Sequence, residues 1–563
     1  MSRFLLQWNR SDCLTSVVVS AFLVGTGFMY LPLFVESLIY TKIVFYIFAG
    51  VLLSLSLLVA KTDMSMRVSP LIVMSSLLLI YNAIYSIKGQ SLMTACLLVT
   101  IALLFALYNL SFSLKSATLV IEVSAVVMLL ICILQFANIL RSNSMLPITS
   151  TFDNPSGVSI FLTLCFPFVM SKFLEHYTTK ELILLLFMFV VVCLMSSRSG
   201  FISLMISGLF ILYPYMRWNF GKPQLLVLIS FGLCVVFLLL WLKGDSTLGR
   251  YLIYRQSLLL GIDRFFFGYG AHGFTAHYMD IQADYFRNHP GSLFSDLADE
   301  TMHPLNEYIA LFIYNGMFGL AFLMMIVWQL RKSWNPQCRV YYGCLIAVCT
   351  QSFFTYTLHY PFVWFFVVLC LSQIAKVSSK AIRFSWPYRG VLLLACVFSV
   401  IVTVKDVWFE YHWHEVMKDG GSNPSDYQQL AQQWNGNPFF LYNYAAVLHR
   451  NFQHAQSNQL LEEYQKYVND YQSQVMMADN YYALANFHGA YKHYELASLM
   501  CPVRFLPLRG MLRTRQKQKV QSEASLIAQT IINKKPKIKS YTVSVIKAEA
   551  QNYLEYEKKS NTY

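Results

Sequence analysis

The sequence predicts an all-α fold in which about thirteen apolar helices cross a membrane and a soluble helical domain follows them outside the bilayer. Three observations carry this. Hydrophobic residues make up 56% of the chain and charged ones only 13%, about half the charged share of a water-soluble protein, near 25%. Apolar runs close to the length needed to span the hydrocarbon recur from the amino end onward. Near residue 406 the composition then turns to Gln, Asn, Tyr, Lys and Glu.

Taken in order, the runs fall at 12–34, 42–60, 68–87, 91–110, 117–138, 158–174, 182–197, 200–216, 224–243, 305–330, 340–358, 361–376 and 390–405. With Met1 in the cytoplasm, one set of loops holds most of the basic residues found in the short loops between runs, among them Lys61, Arg67, Lys115, Lys172, Lys180, Arg331, Lys332 and Arg339. The short loops on the other side hold only Lys42, Lys88, Arg141 and Arg198. Basic residues favour the cytoplasmic side. The long segment 244–304 and the tail from 406 are therefore expected outside. The domain division expected is 1–405, including loop 244–304, and 406–563. Met1–Arg10 leads into the first run with no small-residue cleavage pattern, as in an anchor.

In the tail, stretches such as Gln459–Tyr471 and Tyr481–Met500 carry apolar residues at helical spacing. Leu484, Ala485, Ala490, Tyr494, Ala497 and Pro502 resemble the end of a tetratricopeptide repeat. The alternative is a non-repeating helical cap, and both readings make a docking surface. The net charge of +14 is scattered in ones and twos between apolar runs, which argues against nucleic acid. Eleven of the twelve cysteines lie in or beside apolar runs, with Cys501 alone in the tail, so no disulfide framework is expected.

Polar residues gather on the expected outer side, at Thr151–Gly157, Ser196–Gly200, 244–304 and Thr357–Pro361. Arg198 stands in a short turn between two apolar runs with no acidic neighbour in sequence, an arrangement that suits an anion, and phosphate above all. The competing reading is an arginine snorkelling to lipid headgroups. Arg250 and Arg255 lie on an amphipathic stretch that opens the long segment. His303, Asn306 and Glu307 are spaced three and four apart at the mouth of the run that follows. An imidazole or carboxylate there can accept a proton from a hydroxyl. The Gly268-Tyr-Gly270-Ala-His-Gly273 cluster has neither a preceding strand nor a following lysine, which rules out a nucleotide loop. His272, His277, His289 and His303 match no common metal spacing.

Together, the helices, the Ser-Arg-Ser-Gly turn, the Gly249-Arg250-x-x-Ile-Tyr opening and Gly-Tyr-Gly resemble the O-antigen ligase, O-antigen polymerase and bacterial protein O-oligosaccharyltransferase superfamily. Its late signature is His, then Asn, Ser or Gln, nine residues, and Gly-x-x-Gly. Asn306, Gly316 and Gly319 fit, while Leu305 stands where that histidine belongs. The resemblance implies a glycosyltransferase-C-like membrane domain and inverting, metal-independent glycan transfer without a cofactor. The donor it implies is an undecaprenyl-diphosphate glycan at the periplasmic face of a bacterial inner membrane. By that resemblance Arg198 and Arg250, with Arg255 as second choice for the loop role, bind the diphosphate. His303 or Glu307 acts as base, and Gly316 and Gly319 pack helices beside the site.

The acceptor stays open between a lipid A core, a second repeat unit and a protein hydroxyl, with a ligase-like enzyme favoured because the tail can recruit an acceptor or a protein partner. Other classes are a lipid-linked glycan transporter and a non-catalytic membrane scaffold. A transporter would carry mid-membrane charges and internal symmetry, and the sequence shows little of either.

Overall fold

The computed structural model describes residues 10–60, 66–86, 91–142, 146, 148–195, 197–219, 244–378, 382–384, 388–418, 420–434 and 436–560. The expected run at 224–243 lies outside them. Every other run overlaps a helix: α1 (Arg10–Leu23), α2 (Ser37–Ala60), α3 (Pro70–Ser86), α4 (Ser91–Asn109), α5 (Leu114–Phe136), α6 (Pro155–His176), α7 (Thr179–Leu194) and α8 (Arg198–Asn219) in the first half. α9 (Gly244–Asp263) and α10 (Gly273–Asn288) form the long segment, and α11 (Glu307–Lys332), α12 (Arg339–Ser352), α13 (Pro361–Ser378) and α14 (Tyr388–Lys418) complete the apolar set. Two three-residue strands, β1 (Met66–Val68) and β2 (Ile382–Phe384), pair antiparallel with Arg67 opposite Arg383. The fold is otherwise all-α among the described residues.

Among the described residues, six helices are long and apolar enough to cross a membrane, and three shorter apolar helices accompany them. At 16 and 14 residues, α7 and α12 are too short to cross about 30 Å of hydrocarbon upright at 1.5 Å per residue. On α5, Ala117, Ile121, Ala125 and Met128 are buried while Leu119, Val123, Val127 and Leu130 are exposed. Both faces are apolar, as expected where the outer solvent is lipid. This is a multi-pass membrane protein.

The helices form two compact units. One comprises Met1–Lys243, Leu305–Tyr308 and Met317–His414; the other comprises Gly244–Pro304, Ile309–Gly316 and Glu415–Tyr563. In the first unit α6 and α13 are the centre: an unbroken stretch from Gly157 to Cys165 on α6 is buried, and Phe362, Val363, Phe365 and Phe366 on α13 have no exposed surface. Lys172, read in sequence as a loop charge, is paired with Glu122 at 2.5 Å and Glu181 at 2.9 Å. Lys42, also expected in a loop, is inside α2 and fully buried. The last apolar run does not stop at 405, because α14 continues to Lys418 and Asp406 is held by the Tyr40 hydroxyl at 2.6 Å. A buried carboxylate with a donor across the interface costs far less than an unpaired one.

The second unit packs α9 and α10 with the C-terminal helices. α15 (Pro424–Ala431) precedes α16 (Pro438–Arg450) and α17 (His454–Gln465), then α18 (Tyr471–Ala483) and α19 (Phe487–Met500), α20 (Leu506–Lys517) and α21 (Gln521–Asn533), and α22 (Tyr541–Ser560). Short turns make α16–α17, α18–α19 and α20–α21 successive helix hairpins. Asn437 caps α16 through Phe439 N at 3.0 Å with Pro438 in its first turn, as the Asn-Pro sequence dictates. Ala490 and Ala497 have no exposed surface, and a side chain at Gly510 would strike the Tyr494 ring, so small residues set the hairpin spacing. Gln282 on α10 donates to the Met500 carbonyl at 2.7 Å, Thr275 to the Tyr467 carbonyl at 2.7 Å, and Arg504 pairs with Asp299 at 2.8 Å.

Candidate active site

One end of the first unit collects the polar turns. Asn154 caps α6 by accepting from Ser156 N at 3.0 Å, and Pro155 begins the helix. The same asparagine donates to the Tyr356 hydroxyl at 3.2 Å, and the buried Tyr360 hydroxyl donates to Asp153 Oδ1 at 3.1 Å. Thus the turn before α6 is laced to the turn before α13. The Lys42 ammonium donates to the carbonyls of Thr151 at 2.7 Å and Leu38 at 3.0 Å and lies 5.2 Å from the Phe152 ring. Burial, reinforced by the charge of Asp153, holds Glu36 above the usual carboxylate range.

α11 begins at the same end. Asn306 accepts from Tyr308 N at 2.9 Å as its cap and donates to the Phe353 carbonyl at 3.2 Å. Glu307 accepts the Leu358 backbone N–H at 2.7 Å. Leu305, at the position of the family histidine, has φ +53°, a left-handed conformation that a bulky residue rarely adopts.

Arg198 is the first residue of α8 and is partly exposed. Just below it, a Cβ on Gly200 would stand 1.9 Å from Ser159 Oγ and 3.0 Å from Val192 Cγ1, so the glycine eases the close approach of α8 to α6 there. Deeper, Ser203 donates to the Ala347 carbonyl at 3.0 Å and Gln351 donates to Thr163. These contacts fix the starts of α6 and α8 beside the end of α12. Arg198, Asn306 and Glu307 thereby share one end of one bundle with Asp153, Tyr356, His359 and Tyr360.

The other expected residues belong to the second unit, apart from Gly319, which is buried on α11 in the first. Arg250 lies on α9 one turn from Tyr254, whose hydroxyl is raised by burial while the Arg250 charge pulls it down. The Arg255 guanidinium lies 5.4 Å from the Tyr285 ring centre. His303 is partly exposed, and its carbonyl accepts from Thr301 at 3.0 Å. Gly316 breaks α11 with φ +62° and ψ −158°. The break opens the Ile313 and Tyr314 carbonyls to Tyr269 N at 2.8 Å and Gly270 N at 3.0 Å. Those amides are engaged by backbone, which explains the Gly-Tyr-Gly sequence without a phosphate: Gly268, at φ +72°, has the Tyr314 and Asn315 backbone where a Cβ would be.

The other histidines are dispersed. His272 stands edge-on to Tyr467, His277 packs on Tyr269, and His289 Nδ1 is 2.9 Å from the Tyr285 carbonyl. Burial and then the Arg264 charge lower the pKa of His277. Among the described residues no group of three His, Cys, Asp or Glu side chains has the placement to hold a metal.

The sequence pointed to Thr151–Gly157 and Thr357–Pro361 as segments but not to Asp153, Tyr356, His359 or Tyr360 as residues. The available signal was the Asn-Pro and Tyr-Pro steps, each a polar residue held at a helix start.

Residues 183–324 match the family model described as O-antigen ligase. The matched stretch contains Arg198, Arg250, Arg255, His303 and Glu307. No curated protein matches the chain. The crystal structure of the APC/C hetero-tetramer Cut9-Hcn1 is similar over 91% of this chain and 84% of that chain, at 10% identity and a TM-score of 0.22, too low to bear on fold or function.

Proposed function

We propose that this protein transfers a glycan from an undecaprenyl-diphosphate donor to an acceptor hydroxyl at the periplasmic face of a bacterial inner membrane, as an O-antigen ligase-like enzyme that inverts the anomeric centre. The observation that carries this is the match over 183–324, whose basic and titratable residues suit the chemistry. As the glycosidic bond breaks, negative charge grows on the departing diphosphate. Arg198 and Arg250, with Arg255 in reserve, supply fixed cations where that charge develops. The acceptor's proton passes to a base, for which the sequence offers His303 and Glu307. The donor is already activated, so the reaction requires no nucleotide.

The excess of Lys and Arg in one set of loops supports a cytoplasmic amino terminus, with α9, α10 and the helix hairpins in the periplasm. The hairpins are then placed to recruit an acceptor or a partner protein. Purified full-length protein, incubated with lipid-diphosphate glycan and in turn with lipid A core, a second lipid-linked repeat unit and a serine-containing peptide, should glycosylate the first. Product on the second or third reassigns the enzyme as a polymerase or an O-oligosaccharyltransferase. No product on any acceptor, from protein shown to bind the donor, removes the enzyme reading in favour of a transporter or scaffold.

A further inference from the structure

Leu305 leaves the late signature without its histidine, yet another imidazole stands at the same end of the first unit. His359 lies in the turn between α12 and α13, its ring 5.5 Å from that of Tyr356 and 5.3 Å from that of Tyr360, edge-on to both. The Tyr360 hydroxyl holds Asp153, and the charge of Asp153 acts on the His359 ring. Glu307 grips the N–H of Leu358, the residue directly before it.

Resting on the transfer reading above, we propose that His359, oriented by Tyr356 and Tyr360 and backed by Asp153, is the base that takes the acceptor's proton. The acceptor O–H proton moves to a ring nitrogen while the acceptor oxygen forms its bond to the anomeric carbon. The bond from that carbon to the diphosphate oxygen breaks, and its electron pair leaves with the diphosphate. Asp153 stabilises the imidazolium, as a carboxylate does behind a catalytic histidine. Glu307 becomes a positioning residue, since one of its oxygens is committed to the backbone that carries His359. Burial lowers the His359 pKa and outweighs the opposing pull of Asp153, which keeps the ring neutral near pH 7, the form a base requires. The titratable groups around it are Asp153, Tyr356 and Tyr360, with Glu36 acting on Asp153 and Glu307 one residue away through Leu358.

The test measures transfer by full-length wild type, His359→Ala and Tyr360→Phe, together with binding of lipid-diphosphate glycan to each. His359→Ala should lose roughly 10²–10⁴-fold in kcat, bind the donor as wild type does, and recover part of its rate with added imidazole. Tyr360→Phe should lose less, about tenfold, and gain nothing from imidazole. A His359→Ala rate within about threefold of wild type, or a loss that imidazole leaves unchanged, overturns the assignment while the transfer reading stands. A wild-type protein that transfers to no acceptor overturns both.

Discussion

Arg198 and Glu307 show how differently two residues of the candidate site are held. Arg198 starts a helix that lies close against α6 at Gly200, so its backbone is fixed by packing. Glu307 is fixed through its own carboxylate, which accepts an amide 51 residues away. Arg198→Ala and Arg250→Ala should each lower transfer by about 10²-fold or more, the scale of removing one preorganised donor from a developing anion. Arg198→Lys should retain part of the rate, because it keeps the charge and loses the planar fork. Both alanine variants should remain inserted and folded, and normal rates in both would end the assignment of a diphosphate site. For the proton, His303→Ala and Glu307→Ala discriminate the groups the sequence offered. Through Leu358, Glu307→Ala should lower kcat, whereas His303→Ala should leave it near wild type if His359 is the base.

At the scale of an element, α11 is a helix whose break matters as much as its length. Gly316 sits at φ +62°, where its missing Cβ would be 2.3 Å from the Phe266 carbonyl. Replacing it with alanine adds both a left-handed strain and a backbone clash, together costing about 2 kcal/mol or more. The melting temperature of Gly316→Ala should therefore fall, and proteolysis should show the loss in the segment around Arg264–Gly270 before the bundle itself is cut. Gly319, in the continuous part of the helix, is a control expected to cost less. The spacing of these two glycines is legible in the sequence, where both are assigned to helix packing. What Gly316 accommodates is the backbone of another segment docking edge to edge, which no local periodicity encodes.

For the molecule as a whole, acidity should act on the second unit through Glu300. Burial, aided by the charges of Asp470 and Asp299 and opposed by Arg504, pushes its carboxyl up to about 7. Between the ordinary value of 4.5 and 7 the folded state holds a proton that the unfolded chain has released. Stability therefore falls as pH rises through that window, and the penalty is complete above it. Glu300→Gln should be more stable than wild type at pH 8, with the difference vanishing toward pH 4.5, as followed by thermal unfolding across pH. A constant difference at every pH would show that Glu300 is ionised throughout.

The sequence by itself determined the solvent of each segment and the ends of many helices. Apolar runs have no other stable home than lipid or a packed bundle, and Asn154-Pro155 and Asn437-Pro438 start helices by local geometry alone. It also offered Arg198 as a candidate, a cation in a short turn with no acidic neighbour in sequence. The tertiary structure decided what lies beside what: Tyr360 on Asp153 across 207 residues, Leu358 on Glu307, and the segment 244–304 packed with the helices after Glu415. Those partners are brought together by packing between turns and helices far apart in the chain, so their choice leaves no periodic trace along the sequence.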